Sequence, residues 1–214
     1  MKAHFLFFFR NYIRSHRYIR ELIFITLFNI IFSGFLYGTE TDEGIWLVFG
    51  VFTLLLNMIT APSVFFLEKS TARLFPLIRP KGRRNFLIAK ILLIFCIDFF
   101  WIALFTLLYG IRFLEAGYFL LLPLRWLLLG IMQCLSILIL SLSFTYRAHF
   151  AWVILILFVF GSILNKAALF PIEAASQIYH LLSFLLPPFF ELIYSTVTLE
   201  ISAWRLLFIL AALV

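Results

Sequence analysis

The sequence predicts an all-α membrane protein: an N-terminal interfacial amphipathic helix, about six transmembrane helices, and a broken re-entrant outer segment before the last span. Three observations carry that prediction. First, of 214 residues 64% are hydrophobic and 13% charged, whereas a soluble domain is roughly half apolar and about a quarter charged. Second, runs of Phe, Leu, Ile and Val of bilayer-crossing length alternate with short polar connections. Third, basic residues gather in two clusters beside apolar runs: Arg10, Arg14, Arg17 and Arg20, then residues 68–90. Short loops rich in Lys and Arg stay in the cytoplasm. The chain therefore reads as one transmembrane domain, residues 1–214, multi-pass in the cytoplasmic (inner) membrane with its N-terminus inside.

The elements follow in order. Over residues 2–20, Arg10, Arg14 and Arg17 recur at helical spacing opposite Phe5, Phe8, Phe9, Tyr12, Ile13 and Ile19, a pattern suited to the interface plane. No cleavable signal peptide is expected, because Arg10, Asn11 and Arg14 break the apolar stretch. The first span is expected at about 21–38, with Gly34 and Gly38 at a spacing that permits close helix contact. An acidic turn, residues 39–44, follows on the outer face. The second span, about 45–67, carries Asn57 and Pro62. The basic loop returns the chain inside. The third span, about 86–109, contains Asp98.

Residues 110–125, with Arg112, Glu115, Pro123 and Arg125, read as a less regular outer connection. The fourth span is expected at about 126–145 with Gln133 inside it, and the fifth at 151–165 after a tight inner turn at 146–149. In residues 166–203, Pro187 and Pro188 divide an apolar segment into halves of about ten residues, each too short to span at about 1.5 Å per residue. A re-entrant pair of half-helices on the outer side accounts for this, and a single Pro-kinked span over about 177–199 is the alternative. The final run from Trp204 gives only about 16 Å of helix, so the chain is expected to stop inside a sixth span.

The formal net charge of +7 would suit nucleic acid, but its distribution is the positive-inside pattern, and no RNA-binding motif or zinc spacing accompanies it. Anionic membrane lipids are the expected partner of the basic clusters, and nucleic acid is not. Cys96 and Cys134 sit inside apolar runs and read as small buried hydrophobes.

The inner loop has internal order. Glu68-Lys69 forms an acid-base pair leaving the second span, Leu74-Phe75-Pro76-Leu77 a Leu-rich turn with a proline, and a basic stretch with Arg73, Arg79, Lys81, Arg83 and Arg84 ends at Ala89-Lys90. With the amphipathic start, six spans and the broken segment before the last, this resembles the membrane-spanning permease subunit of type-2 ABC exporters, the ABC-2 permease family. The glycine that commonly follows the acidic residues in that family is replaced here by Ser70-Thr71-Ala72. The likeness covers nearly the whole chain in architecture and about twenty residues in motif.

The resemblance implies that residues 68–85 are a coupling helix docking into a separate ABC ATPase subunit, with Glu68, Lys69, Arg73, Leu74, Phe75, Pro76, Arg79, Arg83 and Arg84 as the coupling residues. It also implies a homodimer or heterodimer of permeases enclosing a pathway along spans one, two and five. No phosphate-binding P-loop occurs in the chain. No cofactor is therefore expected on this chain and ATP hydrolysis is not its own; ATP and Mg would sit on the partner. No catalytic triad, HExxH or Cys-rich metal site is visible, and His4, His16, His149 and His180 do not form ligand spacing. The alternative is a non-transporting polytopic scaffold or assembly factor, whose basic loop would serve only lipid contact and orientation.

Within the membrane, Asn57, Asp98 and Gln133 are the candidate polar or pathway residues. Asp98 lies eight residues past Lys90, about 12 Å along the helix, where a carboxylate costs several kcal/mol unless paired, protonated or hydrated. It reads either as a polar contact on a pathway or interface, or as a structural acid bonded to Asn57 or Gln133. Glu173, His180, Pro187, Pro188 and Glu191 form the candidate outer gate, or a solvated outer face.

Overall fold

The structure, a computed structural model, describes residues 2–38, 44–67, 82–146 and 187–199. All regular structure among them is helical: α1 Lys2–Arg14, α2 Tyr18–Ile31, α3 Ser33–Leu36, α4 Ile45–Phe65, α5 Gly82–Phe113, α6 Ala116–Tyr146 and α7 Phe189–Thr198. Three stretches, Ile45–Phe65, Arg84–Phe113 and Ala116–Ser141, are long and apolar enough to cross a membrane. The protein is a helical membrane protein. The expected fifth and sixth spans, the acidic turn and the first half of the broken segment lie outside the described residues.

Helix α4 is the centre, with α2, α5, α6 and α7 all packed on it. Its Phe49, Phe52 and Leu56 are wholly buried. Phe52 stacks on Phe105 of α5 at a centroid distance of 5.0 Å and meets Phe28 of α2 at 4.9 Å. Such aromatic pairs contribute roughly 0.5–1.5 kcal/mol each beyond area burial. In lipid, where transfer from water no longer drives helix association, this close packing carries much of the cohesion.

The polar contacts set the helix directions. Arg17, at the start of α2, and Lys90, near the start of α5, both reach the C-terminal end of α4. Arg112, at the far end of α5, donates to the carbonyls of Leu36 and Tyr37 at 3.1 and 3.2 Å. Thus α2 and α5 run from a basic end of the bundle, while α4 runs back toward it. Helix α6 also runs back: Trp126 donates to Thr106 near the opposite end at 2.9 Å, and Gln133 reaches Phe95 lower down, also at 2.9 Å.

Several boundaries differ from the sequence reading. The first span is not one helix over 21–38. It starts at Tyr18, breaks at Phe32 and adds one turn as α3. The 14 residues of α2 cover about 21 Å, short of the ~30 Å hydrocarbon core. A Cβ added at Gly34 would meet nothing within 4 Å, so the small-residue spacing there makes no helix contact among the described residues.

Residues 110–125 are not irregular. Helix α5 continues to Phe113, the chain reverses through Leu114 (φ 53°) and Glu115, and α6 begins at Ala116. The close approach of Tyr118 to Gly110 makes this two-residue reversal possible, since a Cβ at Gly110 would collide with the Tyr118 ring. Pro123 is accommodated inside α6 at the loss of one backbone hydrogen bond.

Trp46 is 1% exposed, stacked on Tyr118 at 5.4 Å with the Arg125 guanidinium 4.5 Å from its ring centroid. One residue type sits elsewhere than the sequence suggests. Cys96 and Cys134 are exposed on the outside of the described bundle rather than buried.

Helix α1 packs on α5. His4 and Phe8 meet Phe86, and Tyr12 lines a cavity of about 480 Å³ with Leu93, Ile97 and Trp101. The amphipathic helix therefore accompanies the first half of α5, its Phe8 wholly buried, while Arg10 and Arg14 stay exposed. Pro187 and Pro188 are buried and lead into α7, a half-helix of 10 residues ended by Leu199 in the left-handed conformation (φ 56°). It packs on α4 and α6.

Candidate functional site

Two polar constructions stand out, and both are built around the C-terminal half of α4. The first is a clamp on its last turn. A helix C-terminus leaves four carbonyls without intrahelical partners and carries a partial negative charge. Pro62 adds to the demand, because its ring limits how the preceding turn can adjust. The Arg17 guanidinium, held in the tight α1–α2 turn, donates to the carbonyls of Ser63 and Phe66, the latter at 2.9 Å. The Lys90 ammonium donates to the Phe65 carbonyl at 3.3 Å. It lies 4.7 Å from the Phe86 ring centroid, 5.3 Å from Phe8 and 5.6 Å from Phe65. Lys90 is 4% exposed. Cation–π contact with three rings and a helix-end carbonyl together replace much of its lost hydration. Burial first, and the Arg20 charge second, draw Arg17 below the ordinary guanidinium range.

One turn further into the bundle lies the second construction, where α1, α2, α4 and α5 meet. Tyr12 donates its hydroxyl to the Glu21 carboxylate. Thr60 and Trp101 lie beside Glu21, and Thr60 lies beside Asp98 as well. Glu21, Thr60 and Asp98 are all 0% exposed. The Thr60 hydroxyl is near both carboxyls without hydrogen-bond geometry to either. Both Asp98 oxygens and Glu21 Oε1 likewise make no hydrogen bond among the described residues. Burial, then the Glu21 charge and hydrogen bond, push the Tyr12 phenol well above its usual range, so it stays a donor.

The other candidate intramembrane residues form a separate network. Asn57 donates to Ser136, Ser136 to the Gln133 carbonyl at 3.0 Å, and Gln133 to the Phe95 carbonyl at 2.9 Å. This joins α4, α6 and α5. Neither Asn57 nor Gln133 bonds Asp98, so the pairing expected from sequence is not formed. The reason is angular: Asn57 and Thr60 are three residues apart on α4, and α6 takes the first while α5 takes the second.

Nothing in the sequence singles out Tyr12, Glu21 or Thr60. Glu21 reads there as the polar start of the first span and Tyr12 as one ring of an aromatic face. Asp98 stands among apolar residues and is marked by that, whereas Glu21 follows Arg20 and carries no such signal.

Among the coupling residues, Arg84 is exposed in the first turn of α5, and Arg83 lies on the same helix. Glu68, Lys69, Arg73, Leu74, Phe75, Pro76 and Arg79 lie outside the described residues, as do Glu173 and His180 of the gate. Glu191 is half-buried in the first turn of α7, next to buried Pro187 and Pro188. No group of three or more His, Cys, Asp or Glu able to hold a metal occurs among the described residues. Comparison with protein-family models, curated proteins and solved structures returns no match.

Proposed function

We propose that this chain is the membrane-spanning permease subunit of an ATP-binding cassette exporter, working as a dimer with separate ATPase subunits that carry ATP and Mg. Residues 68–85 dock into the ATPase on the cytoplasmic side, and the half-helix after Pro187-Pro188 lines the outer exit. The single observation that supports this reading best is the clamp. The 68–81 segment joins α4 to α5, and the two helix ends it joins are tied to each other through Lys90 and Phe65. The same end of α4 is tied to the α1–α2 turn through Arg17. A push on the segment therefore reaches α4, α5 and the α1–α2 turn as one body. That is what rigid-body transmission from a closing partner requires.

Affinity purification from native membranes tests the reading. An ATPase subunit is expected to co-purify, and replacing Arg79, Arg83 and Arg84 together with Gln should lose it or leave ATP hydrolysis without transport. Unchanged co-purification and unchanged activity in the triple variant would refute the coupling role. Absence of any ATPase would favour a scaffold instead.

A further inference from the structure

The buried acids Glu21 and Asp98 present a charge problem that their surroundings only half solve. Two carboxylates taken into a low-dielectric interior cost several kcal/mol each unless matched. Glu21 is matched in part: it accepts the Tyr12 hydroxyl, and the Trp101 indole lies beside it. Asp98 faces the Thr60 hydroxyl and the Glu21 charge. Among the described residues, the cations at this end of the bundle are placed elsewhere. Arg17 is at the Ser63 and Phe66 carbonyls, Lys90 is at Phe65 in its ring of phenylalanines, and Arg10, Arg14 and Arg20 are exposed.

What remains is a gathering of oxygens. Asp98 Oδ1 and Oδ2, Glu21 Oε1 and Thr60 Oγ1 are buried from three different helices with no hydrogen bond among the described residues. Ser63 Oγ, three residues beyond Thr60 on α4, is buried in the same condition. Thr60 is independent of the acids and stands beside both of them. A hydroxyl there can give its proton to one carboxylate and still offer a lone pair.

We propose that Glu21, Thr60 and Asp98 bind one sodium ion between them. Oxygen-only ligands suit a hard cation. The charge selects a monovalent one: two carboxyls that feel each other's charge in an apolar interior do not both ionise, and with one proton shared between them a single negative charge is left to be met. Coordination argues the same way. Calcium takes six to eight oxygens and magnesium a near-octahedral shell with several waters, more than the four oxygens of Asp98, Glu21 and Thr60 provide. The ion would fasten α2, α4 and α5 together just beyond the clamp. This site does not depend on the exporter reading.

The test uses the purified full chain in lipid nanodiscs without any partner. Sodium chloride is exchanged against choline chloride at constant ionic strength and pH, and thermal unfolding is followed by tryptophan fluorescence. The midpoint should rise with sodium and saturate as one site, as binding to the folded state alone requires. Thr60→Val should weaken the apparent sodium affinity by about ten-fold or more, a loss of one ligand at roughly 1.4 kcal/mol. Asp98→Asn should abolish the sodium response, and if that variant fails to fold, Thr60→Val decides. A midpoint indifferent to sodium in the unaltered chain overturns the proposal. So does a Thr60→Val variant that responds like the parent, or a response to pH or calcium in place of sodium. An ATPase binding result bears only on the exporter reading, so the two fail separately.

Discussion

Replacing Gly50 by Ala should destabilise the protein when Ile193 is present and stabilise it when Ile193 is cut to Ala. Gly50 lies in the first half of α4, against the α7 half-helix. A Cβ placed there would fall 2.7 Å from Ile193 Cγ1, 3.2 Å from Cγ2 and 3.3 Å from Cδ1. Ile193 is 4% exposed, and a β-branched side chain in a helix holds nearly one rotamer, so turning one γ carbon away swings another in. Overpacking of this kind costs roughly 1–3 kcal/mol. Against it stands the intrinsic gain of Gly→Ala in a helix interior, about 1 kcal/mol.

The net in the parent is a loss of up to about 2 kcal/mol. In the Ile193→Ala background the clashing atoms are gone and only the gain of about 1 kcal/mol remains. The change of sign is the measurement. A double-mutant cycle by thermal unfolding in nanodiscs, with the four proteins compared at one lipid composition, reads it directly. If Gly50→Ala shifts both backgrounds equally, α7 does not pack on this part of α4 and the placement of the broken segment is wrong.

Two further outcomes follow from the polar contacts. Asn57→Ala and Ser136→Ala should couple by about 0.6 kcal/mol, the usual worth of an interhelical hydrogen bond in a membrane, in a cycle measured by the same unfolding assay. Independent effects would mean that α4 and α6 are not joined there. The Tyr12 phenol, held protonated by burial and by Glu21, should make stability fall as pH rises past about 10. Above that value the unfolded chain has released a proton that the folded chain retains, so unfolding gains with pH. Tyr12→Phe should flatten the alkaline limb of the stability curve, and an unchanged limb would count against the buried Tyr12–Glu21 contact.

The sequence by itself determined the class of molecule, a helical membrane protein. Composition and run length are properties of the chain alone, and a bilayer tests little else, so the helices at 45–65, 84–113 and 116–141 were legible in outline. Asp98 was also legible, because a carboxylate deep in an apolar run is costly wherever it points. Its partners were not.

Which side chain faces which is set by helix rotation and direction, and these come from packing between elements far apart in sequence. Thus Asn57 met Ser136, 79 residues away, rather than Asp98, while Arg17 found carbonyls 46 and 49 residues on. The two-residue reversal at Leu114 and Glu115 was hidden for a related reason. The polar residues around it suggested a loop, but Arg112 and Arg125 spend their charge on the Leu36 and Tyr37 carbonyls and on the Trp46 ring. Only tertiary structure brought Tyr12, Glu21, Thr60 and Asp98 to one point. A burial site shared by four helices depends on all of their rotations at once, and no local run of residues encodes it.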